Sequence, residues 1–475
     1  MTFTEESRKG EWWFPDSNVH FQGELNFSKN YSLRLFGPEE SFIIVDTAIN
    51  QLSNTDTKFE AEKIILGKTT DKKDITLVYT IPPSSRSINR DHYNFVERIF
   101  KINYILFDIH VKNFEEIKFE HILVEYSNFD NWVWDHDFIG RTFAYRHESE
   151  PKYIVEYYYG KNESIMINDK MSVELFSYPK IEINLIDKNK ISHIKYVKIV
   201  SKGDRTLLHY IKLKNIFLDF LNFIIFDEIQ TLNMIGYVRF EQQGNTFLRK
   251  TEILYTSTIS NNMNKVKVIS PYLIKYNIFS EKSNKILTEW FNLRNRLPAV
   301  YDIYFGVMYN TNLYLSNEFL MLAEATSIYV EALISNNQPI ELQNKISRIN
   351  AICNKLDDDS IVNVEDRKWI KEILQGKKSL SFKEKMNKIY ETYIDLLPYL
   401  SSTIGTKDEF SSNLKRYRNR LTHGNINYDD LNYDYLFWKC KDLQLILQLC
   451  ILSELGFTIE EIKSLYHLDK LKRKI

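Results

Sequence analysis

The segment of the chain with the clearest capacity for chemistry is KDEFSSNLKRYRNRLTHG, residues 407–424. It brings Arg418, Asn419 and His423 close together in the sequence. Histidine has an ordinary pKa of about 6.5 and can take up or release a proton at neutral pH. Arginine keeps its charge and binds phosphate oxygens through paired N–H donors. These side chains could therefore supply acid–base catalysis beside a bound phosphate.

The same segment has the pattern of an amphipathic helix. Its apolar residues recur at spacings of three and four and predict one buried stripe: Phe410, Leu414, Tyr417 and Leu421. Gly424 predicts the helix end, so that His423 lies in the last turn. At about 100° per residue, Asn419 and His423 are about 40° apart on the face opposite the stripe. We therefore expect this polar face to meet solvent, a ligand or another subunit.

The elements that must position this segment change in pattern near Lys285. Upstream, short runs rich in β-branched and aromatic residues predict antiparallel strands. Several of these strands should have one buried and one solvent-exposed face. These runs are VHFQGELNF, YSLRLFG, DITLVYTI, KFEHILVEY, SVELFSY, KIEINLI, HIKYVKIV and TEILYTSTI. Downstream, apolar spacings of three and four predict a helix capped by Ser316 and others at about 340–356, 364–375, 381–399, 408–423 and 431–455.

We predict an α+β multidomain chain with three regions. An antiparallel β-rich region, sandwich-like or barrel-like, is expected over residues 1–270. A helical connector follows at 271–315, and an all-α bundle occupies 316–475. A division of the β-rich region into two sub-modules near 160–172 is left open.

Charge and composition argue against several classes of protein. The 62 basic and 63 acidic side chains give a net charge of −1, so a nucleic-acid site would need a local cluster of Lys and Arg. The most apolar run, 216–229, contains Asp219 and Asp227 and is too short and too charged to span a bilayer. The cysteines form no CxxC pair and are read as reduced thiols: Cys353, Cys440 and Cys450. We expect a cytoplasmic protein with no membrane partner.

Other clusters in the sequence are read as structural. The Gly-rich phosphate-binding motifs GxGxxG and GxxxxGK[ST] do not occur, so the sequence gives no support for ATP-driven chemistry. The nearest approach to a metal-ligand set, Asp135-His136-Asp137, is read as a polar turn. Arg294-Asn295-Arg296 lacks a following His and is read as an exposed basic turn. We therefore predict no metal and no cofactor.

The residues RNRLTH, from Arg418 to His423, resemble the Arg-x4–6-His signature of HEPN domains, in the RNxxxH form common among their ribonuclease members. The flanking stretches WFNLRNRLPAVYDIYFG, NEFLMLAEATSIYVEAL and DYLFWKCKDLQLILQLCILSELGF are similar to the ApeA group of abortive-infection proteins. The N-terminal stretch GEWWFPDSNVHFQGELNFSKNYSLRLFG is similar to the same group. The resemblance covers both ends of the chain and is loose over about 150–270.

Two other Arg–His pairs fit the bare spacing. Arg86 precedes His92 and Arg141 precedes His147, but both pairs lie in the β-rich half and neither Arg is followed by Asn. We therefore treat them as chance matches. The plain structural alternative for Arg418 and His423 is a solvated helix end.

The resemblance implies a metal-independent endoribonuclease of anti-phage defence. Arg418 and His423 would be catalytic, with Asn419 orienting the substrate or the imidazole. RNA, tRNA among the candidates, would be cut to 2′,3′-cyclic phosphate and 5′-OH ends. HEPN domains usually pair two-fold, so a homodimer or higher even assembly is expected. The β-rich region would sense a phage-derived trigger. The predicted RNA contacts are the neighbouring cations Lys415, Arg416 and Arg420.

One departure from the family pattern concerns the first helix of the HEPN domain. Relatives commonly carry a Glu there, whereas Ser327 stands near that place in this chain. Glu324 or Glu331 could substitute for it.

An alternative function remains open at this point. The helical region could be a catalytically silent dimerisation or nucleotide-binding module, with the β-rich region binding a ligand. The aromatic residues that could stack on such a ligand are Trp12, Trp13, Trp132 and Trp134. Burial in the β core is the commoner expectation for each of them.

Overall fold

The change from strand-like to helical sequence pattern corresponds to a division of the folded chain. In the computed structural model, the chain separates into two units, Met1–Glu281 and Lys282–Ile475. The structure describes residues 7–27, 31–44, 63–90, 93–133, 139–146, 151–158, 163–182, 190–225, 229–255, 272–310, 312–336, 340–358, 362–375, 379–397, 404–423 and 432–466. The predicted fold class, an antiparallel β-rich region followed by a helical region, is confirmed.

The first unit is built from short antiparallel strands. In its described part they are β1 Ser7–Trp13, β2 His20–Asn26, β3 Ser32–Pro38, β4 Lys63–Thr69, β5 Asp74–Tyr79, β6 Ser84–Arg90, β7 Tyr93–Lys101, β8 Tyr104–Phe107, β9 Lys118–Tyr126, β10 Ile139–Arg146, β11 Pro151–Tyr158, β12 Glu163–Asn168, β13 Met171–Glu182, β14 Lys190–Thr206, β15 Thr231–Gln242 and β16 Asn245–Tyr255. Among the described residues, fourteen strands form one sheet in the order β12-β13-β14-β9-β15-β16-β8-β5-β4-β1-β2-β3-β7-β6. Strands β10 and β11 pair only with each other there.

Most of the predicted strand runs are strands in the structure. The runs at β2, β3, β5, β9, β13 and β14 are confirmed. KIEINLI is not a separate strand, because residues 180–182 continue β13 and 183–186 lie outside the described residues. The run from 251 is a strand as far as Tyr255, and the rest of it also lies outside. Strand β4, KIILGKT, was not predicted because four consecutive residues are buried and no alternation marks it.

The sheet contains strands from both sides of the position at 160–172 where a division was left open. Strand β9 precedes this position and pairs with both β14 and β15, which follow it. Strands β12 and β13, which begin within it, pair with each other and join β14. Hydrogen bonding therefore links the chain before and after this position.

An aromatic core supports the part of the sheet formed by β1 to β8. Trp12 is fully buried there together with Phe21 and Phe100. A Cβ on Gly67 would lie 2.1 Å from the Trp12 ring, so a side chain at this position would collide with it. Trp132 is also buried, and its indole N–H donates to the Ile274 carbonyl at 2.9 Å. These two tryptophans belong to the protein core.

The part of the sheet around β9 and β14 packs against a helix. The short helix α1 is Phe129–Trp132, and α2 is Leu207–Ile225. In the sequence, part of α2 is recognisable only as an apolar run, because this helix buries most of its faces and carries no narrow stripe. Tyr210 anchors it by donating its hydroxyl to the Glu120 carbonyl on β9 at 2.7 Å.

Helix α2 buries one lysine. Lys214 is 3% exposed, and its ammonium donates to the hydroxyl of Tyr255 at 2.9 Å and to that of Thr231 at 3.4 Å. The ammonium also lies 4.3 Å from the centroid of the Tyr255 ring. Burial lowers the pKa of Lys214 to about 8, because it takes the charged form out of water, and the charge of Asp219 opposes this shift only in part.

The second unit is helical. Its helices are α3 Tyr276–Arg296, which begins in the first unit and has a non-helical residue at Lys282, α4 Pro298–Tyr309, α5 Leu315–Asn336, α6 Ile340–Asp358, α7 Val364–Gln375, α8 Phe382–Thr392, α9 Lys407–His423, α10 Tyr433–Glu454 and α11 Ile459–Tyr466. The predicted helices match α6, α7, α9 and α10 closely. The helix predicted to be capped by Ser316 is α5, but it begins at Leu315, so Ser316 lies within it. No helix of the described residues is long and apolar enough to cross a membrane.

The helix predicted at 381–399 is shorter than expected. It ends at Thr392, because Tyr393 has a non-helical backbone and the chain turns there. The turn buries Tyr393, Leu396 and Leu397, and the Tyr393 hydroxyl donates to Ser453 on α10 at 3.1 Å. Tertiary packing therefore ends this helix earlier than its apolar spacing suggested.

The core of the second unit forms around α10. This helix is buried along most of its length and packs against α5. Within it, the Gln448 side chain donates to the Tyr304 hydroxyl and accepts from the Tyr466 hydroxyl, both at 3.1 Å. These two hydrogen bonds join α4, α10 and α11 through buried side chains.

Lys214→Met should alter the pH dependence of stability. Because the pKa of Lys214 is lowered from about 10.5 to about 8, the unfolded chain binds this proton more tightly. The loss of unfolding free energy caused by burying the charged ammonium is complete below about pH 8 and decreases as the pH rises toward 10.5. The unfolding free energy of the parent should therefore gain on the order of 2 kcal/mol relative to Lys214→Met between pH 7 and pH 9.5.

Urea unfolding of the full chain at both pH values measures this difference. Lys212→Met, on an exposed position of the same helix, serves as the control and should show no such change. A Lys214→Met difference that is the same at both pH values would contradict the assignment.

Candidate active site

Helix α9 carries the chemical groups, and burial of one face fixes its orientation. Phe410, Leu414 and Tyr417 are nearly fully buried, and Leu421 is half-buried, so the predicted stripe is confirmed. The helix begins at a Thr406–Glu409 cap, in which the Thr406 N–H and hydroxyl both donate to the Glu409 carboxylate. These contacts leave the opposite face directed outward.

The predicted site residues lie on or beside this outward face. His423 is the last residue of α9 and is exposed, as is Asn419 one turn before it. The side chain of Arg418 is 36% exposed. The neighbouring cations are all exposed: Lys415, Arg416 and Arg420. The C-terminal part of α9 therefore carries a local cluster of positive charge, although the net charge of the whole chain is −1.

Tyr417 holds the turn that carries Arg418. Its ring stacks on Tyr435 of α10, with centroids 4.7 Å apart and planes inclined by 22°. Phe319 of α5 meets the same ring edge-on at 6.4 Å. Burial raises the pKa of Tyr435 to about 12, so that this phenol stays protonated at neutral pH. The stacked rings therefore position the turn that carries Arg418.

Arg418 lies between two other helices. Its guanidinium is 3.7 Å from the carboxylate of Glu324 on α5. Its central carbon lies 5.1 Å from the centroid of the Phe382 ring, at the start of α8. The distance to Glu324 is an ion-pair contact but is too long for a hydrogen bond. Elements separated in sequence by dozens of residues therefore meet at this guanidinium.

Of the two glutamates considered in the sequence, Glu324 is the one that contacts Arg418. Glu331 pairs instead with the buried Lys385 of α8, and the Lys385 ammonium also donates to Ser327 at 2.9 Å. Ser327 thus takes part in a contact between α5 and α8. Neither Phe382 nor Lys385 was selected from the sequence. The available signal was the Ser381–Glu384 spacing, which marks the start of α8.

Other groups singled out in the sequence have structural contacts or lie outside the described residues. Arg294 pairs with Asp302 at 2.5 Å, and Arg296 pairs with Glu454. Cys440 and Cys450 are buried free thiols, and Cys353 is partly exposed. The part of the chain that the structure describes contains no group of three His, Cys, Asp or Glu side chains that could hold a metal ion. Outside it lie His92, His147, Trp134 and Asp135-His136-Asp137.

Comparison with known families covers both units. The ApeA N-terminal domain 1 matches residues 7–290, which is more than half of the chain. This chain belongs to the ApeA family. The ApeA-like HEPN domain matches residues 320–461, a span that contains the RNxxxH segment of α9. No curated protein and no solved structure matched the chain.

The ApeA-like HEPN match contains the described residues that contact the Arg418 guanidinium. Helix α5 supplies Glu324, α8 supplies Phe382, and α9 supplies Arg418 and His423. The contacts around the guanidinium therefore lie within this HEPN domain.

The two faces of α9 should differ in their tolerance to substitution. Leu414→Ala, on the buried stripe, should lower the free energy of unfolding by about 2–5 kcal/mol, because a fully buried leucine leaves a cavity. His423→Ala removes only an exposed side chain and should change this free energy by less than about 0.5 kcal/mol. Denaturant unfolding followed by circular dichroism compares them. Equal losses would show that the outer face is structural.

Proposed function

We propose that this ApeA-family protein is an anti-phage defence protein whose HEPN domain cleaves RNA without a metal ion. The observation that carries the proposal is the outward-facing end of α9, where His423 and Asn419 are exposed and Arg418 lies within reach of both Glu324 and Phe382. HEPN families generally include ribonucleases, which supports the reaction class. tRNA is the specific substrate that we propose to test first.

The reaction requires two proton transfers and charge stabilisation. A base removes the proton of the ribose 2′-OH, and the 2′-oxygen attacks the adjacent phosphorus. The bond from phosphorus to the 5′-oxygen then breaks, and an acid protonates that oxygen. The products are a 2′,3′-cyclic phosphate and a 5′-OH end. His423 would carry one of these protons, and Arg418 would bind the non-bridging oxygens as their negative charge grows.

Asn419 and the nearby cations have supporting roles in this proposal. Asn419 lies one helical turn before His423 and can hydrogen-bond to the substrate or the imidazole. Lys415, Arg416 and Arg420 are exposed and can contact the RNA backbone. Local positive charge of this kind is what a chain with a net charge of −1 needs to bind RNA.

A two-fold assembly would complete the site. One imidazole cannot act as base and acid in the same step, whereas two copies of α9 facing one cleft supply two histidines and two arginines. The polar face of α9 is turned away from the core of its own unit and is therefore available for such pairing. We propose that the HEPN domains associate as a homodimer or a higher even assembly.

The β-rich region is proposed to regulate the nuclease in response to a phage-derived trigger. The competing function, a silent HEPN domain with a ligand-binding β-rich region, relied on tryptophans as stacking surfaces. Trp12 and Trp132 are core residues, and Trp13 already stacks on His20 at 4.9 Å. These contacts favour the nuclease proposal.

His423→Ala should abolish RNA cleavage while leaving the fold and assembly intact. Loss of the proton carrier should lower the rate by about a hundredfold to ten-thousandfold. Arg418→Ala should behave similarly, because positive charge beside the phosphate is lost. The measurement is cleavage of total tRNA in the presence of EDTA, with the ends of the products identified chemically.

His92→Ala and His147→Ala are the matched controls, since both remove a histidine from a chance Arg–His pair. They should cleave at the parental rate. Cleavage by His423→Ala at the parental rate, with its assembly unchanged, would overturn the proposal.

The purified protein should be an even oligomer at micromolar concentration. The composite site needs a second copy, so dilution to the monomer should remove cleavage together with the assembly. Light scattering or analytical ultracentrifugation measures the mass. A strict monomer that still cuts RNA would contradict the two-copy site.

A further inference from the structure

The start of α8 lies beside the guanidinium of Arg418. Phe382 is the first residue of this helix, and its partly exposed ring lies 5.1 Å from the central carbon of the guanidinium. An arginine over an aromatic face is attracted by the negative potential of the ring. The contact joins Arg418, a predicted catalytic residue, to Phe382, which lies outside the RNxxxH motif.

The first turn of α8 is fixed by a capping box. The Glu384 N–H donates to the Ser381 hydroxyl, and the Ser381 N–H donates to the Glu384 carboxylate at 2.6 Å. The backbone hydrogen bond from Ser381 is the largest of the effects that lower the pKa of Glu384, so the carboxylate stays ionised and the cap stays closed at neutral pH. The backbone position of Phe382 is therefore well defined.

The same turn is tied to α5 and to α9, the helix that carries Arg418. Lys385 is buried, and its ammonium donates to Ser327 at 2.9 Å and pairs with Glu331, both on α5. Lys383 pairs with Asp408 at the start of α9 at 2.7 Å. Phe382 is thus held relative to both α5, which carries Glu324, and α9, which carries Arg418.

This arrangement restricts the guanidinium and, among the described residues, leaves its N–H groups without a hydrogen-bond acceptor. A close carboxylate would occupy the N–H groups that a phosphate needs, but Glu324 stays at 3.7 Å. The Phe382 ring attracts the guanidinium from 5.1 Å and offers no carboxylate or carbonyl oxygen that would take up its N–H groups. The Arg418 guanidinium can therefore be held in place before the RNA binds.

We infer that Phe382 is a positioning residue for RNA cleavage: it holds the Arg418 guanidinium so that its donors meet the scissile phosphate. This inference rests on the proposed nuclease function. It adds α8 to the elements that form the site, and it gives the Lys385–Ser327–Glu331 contact a role in holding that element.

Phe382→Leu tests the inference, because leucine retains an apolar side chain but has no ring. We expect kcat for RNA cleavage to fall by about threefold to thirtyfold with little change in KM, as the substrate still binds but the charge is less well placed. Phe382→Tyr keeps the ring and should restore kcat to within about twofold of the parent. Phe437→Leu, a partly exposed phenylalanine on α10, is the matched control and should keep the parental kcat.

A double-variant cycle separates positioning from general loss of structure. If Phe382 acts through Arg418, Phe382→Leu should cost much less in an Arg418→Lys background than in the parent. Parental kcat in Phe382→Leu, or the same loss in both backgrounds, would overturn the inference.

A readout independent of catalysis distinguishes this inference from the proposed function. In protein labelled with ¹⁵N at its arginine side chains, the Arg418 signal can be assigned by its loss in Arg418→Lys. Phe382→Leu should shift this signal by removing the ring current, and Phe437→Leu should leave it in place. A parent that cuts no RNA in phage-infected cells would contradict the nuclease proposal, whereas an unshifted Arg418 signal would contradict the positioning role of Phe382.

Discussion

Burial of the apolar stripe of α9 is the constraint on which the candidate site depends. Phe410, Leu414 and Tyr417 can leave water only if this face of the helix turns toward α5, α8 and α10. Because the groups of a helix are fixed about its axis, the same rotation turns Asn419 and His423 outward. The hydrophobic effect acting on one face thus determines where the polar groups of the other face lie.

The surroundings of Arg418 combine two kinds of contact with different consequences. An exposed ion pair at 3.7 Å, such as that with Glu324, contributes little stability and leaves the guanidinium able to exchange partners. An aromatic face restricts orientation and uses no donor. A phosphate that entered the site could therefore replace the carboxylate while the arginine kept its place on Phe382.

In the β-rich unit, a helix packs against the sheet of fourteen described strands. Strand β9 pairs with strands far from it in sequence, and α2 covers the adjoining strands with buried aromatic residues. Lys214 is an exception within this apolar interface, because its ammonium is buried beside hydroxyl groups and its pKa is lowered to about 8. A charge in such surroundings destabilises the folded state and is relieved by loss of its proton.

The sequence by itself determined those features that depend on local periodicity. The strand-to-helix change, the stripe of α9 and the position of His423 in its last turn all follow from which residues share a face, and the RNxxxH motif with its flanking segments indicated the family. Tertiary structure alone decided which glutamate meets Arg418, that Phe382 lies beside it, that α8 ends at Thr392 and that Ile216 belongs to a buried helix. Contacts of this kind join residues far apart in sequence or depend on burial from all sides, and neither leaves a periodic signal in the chain.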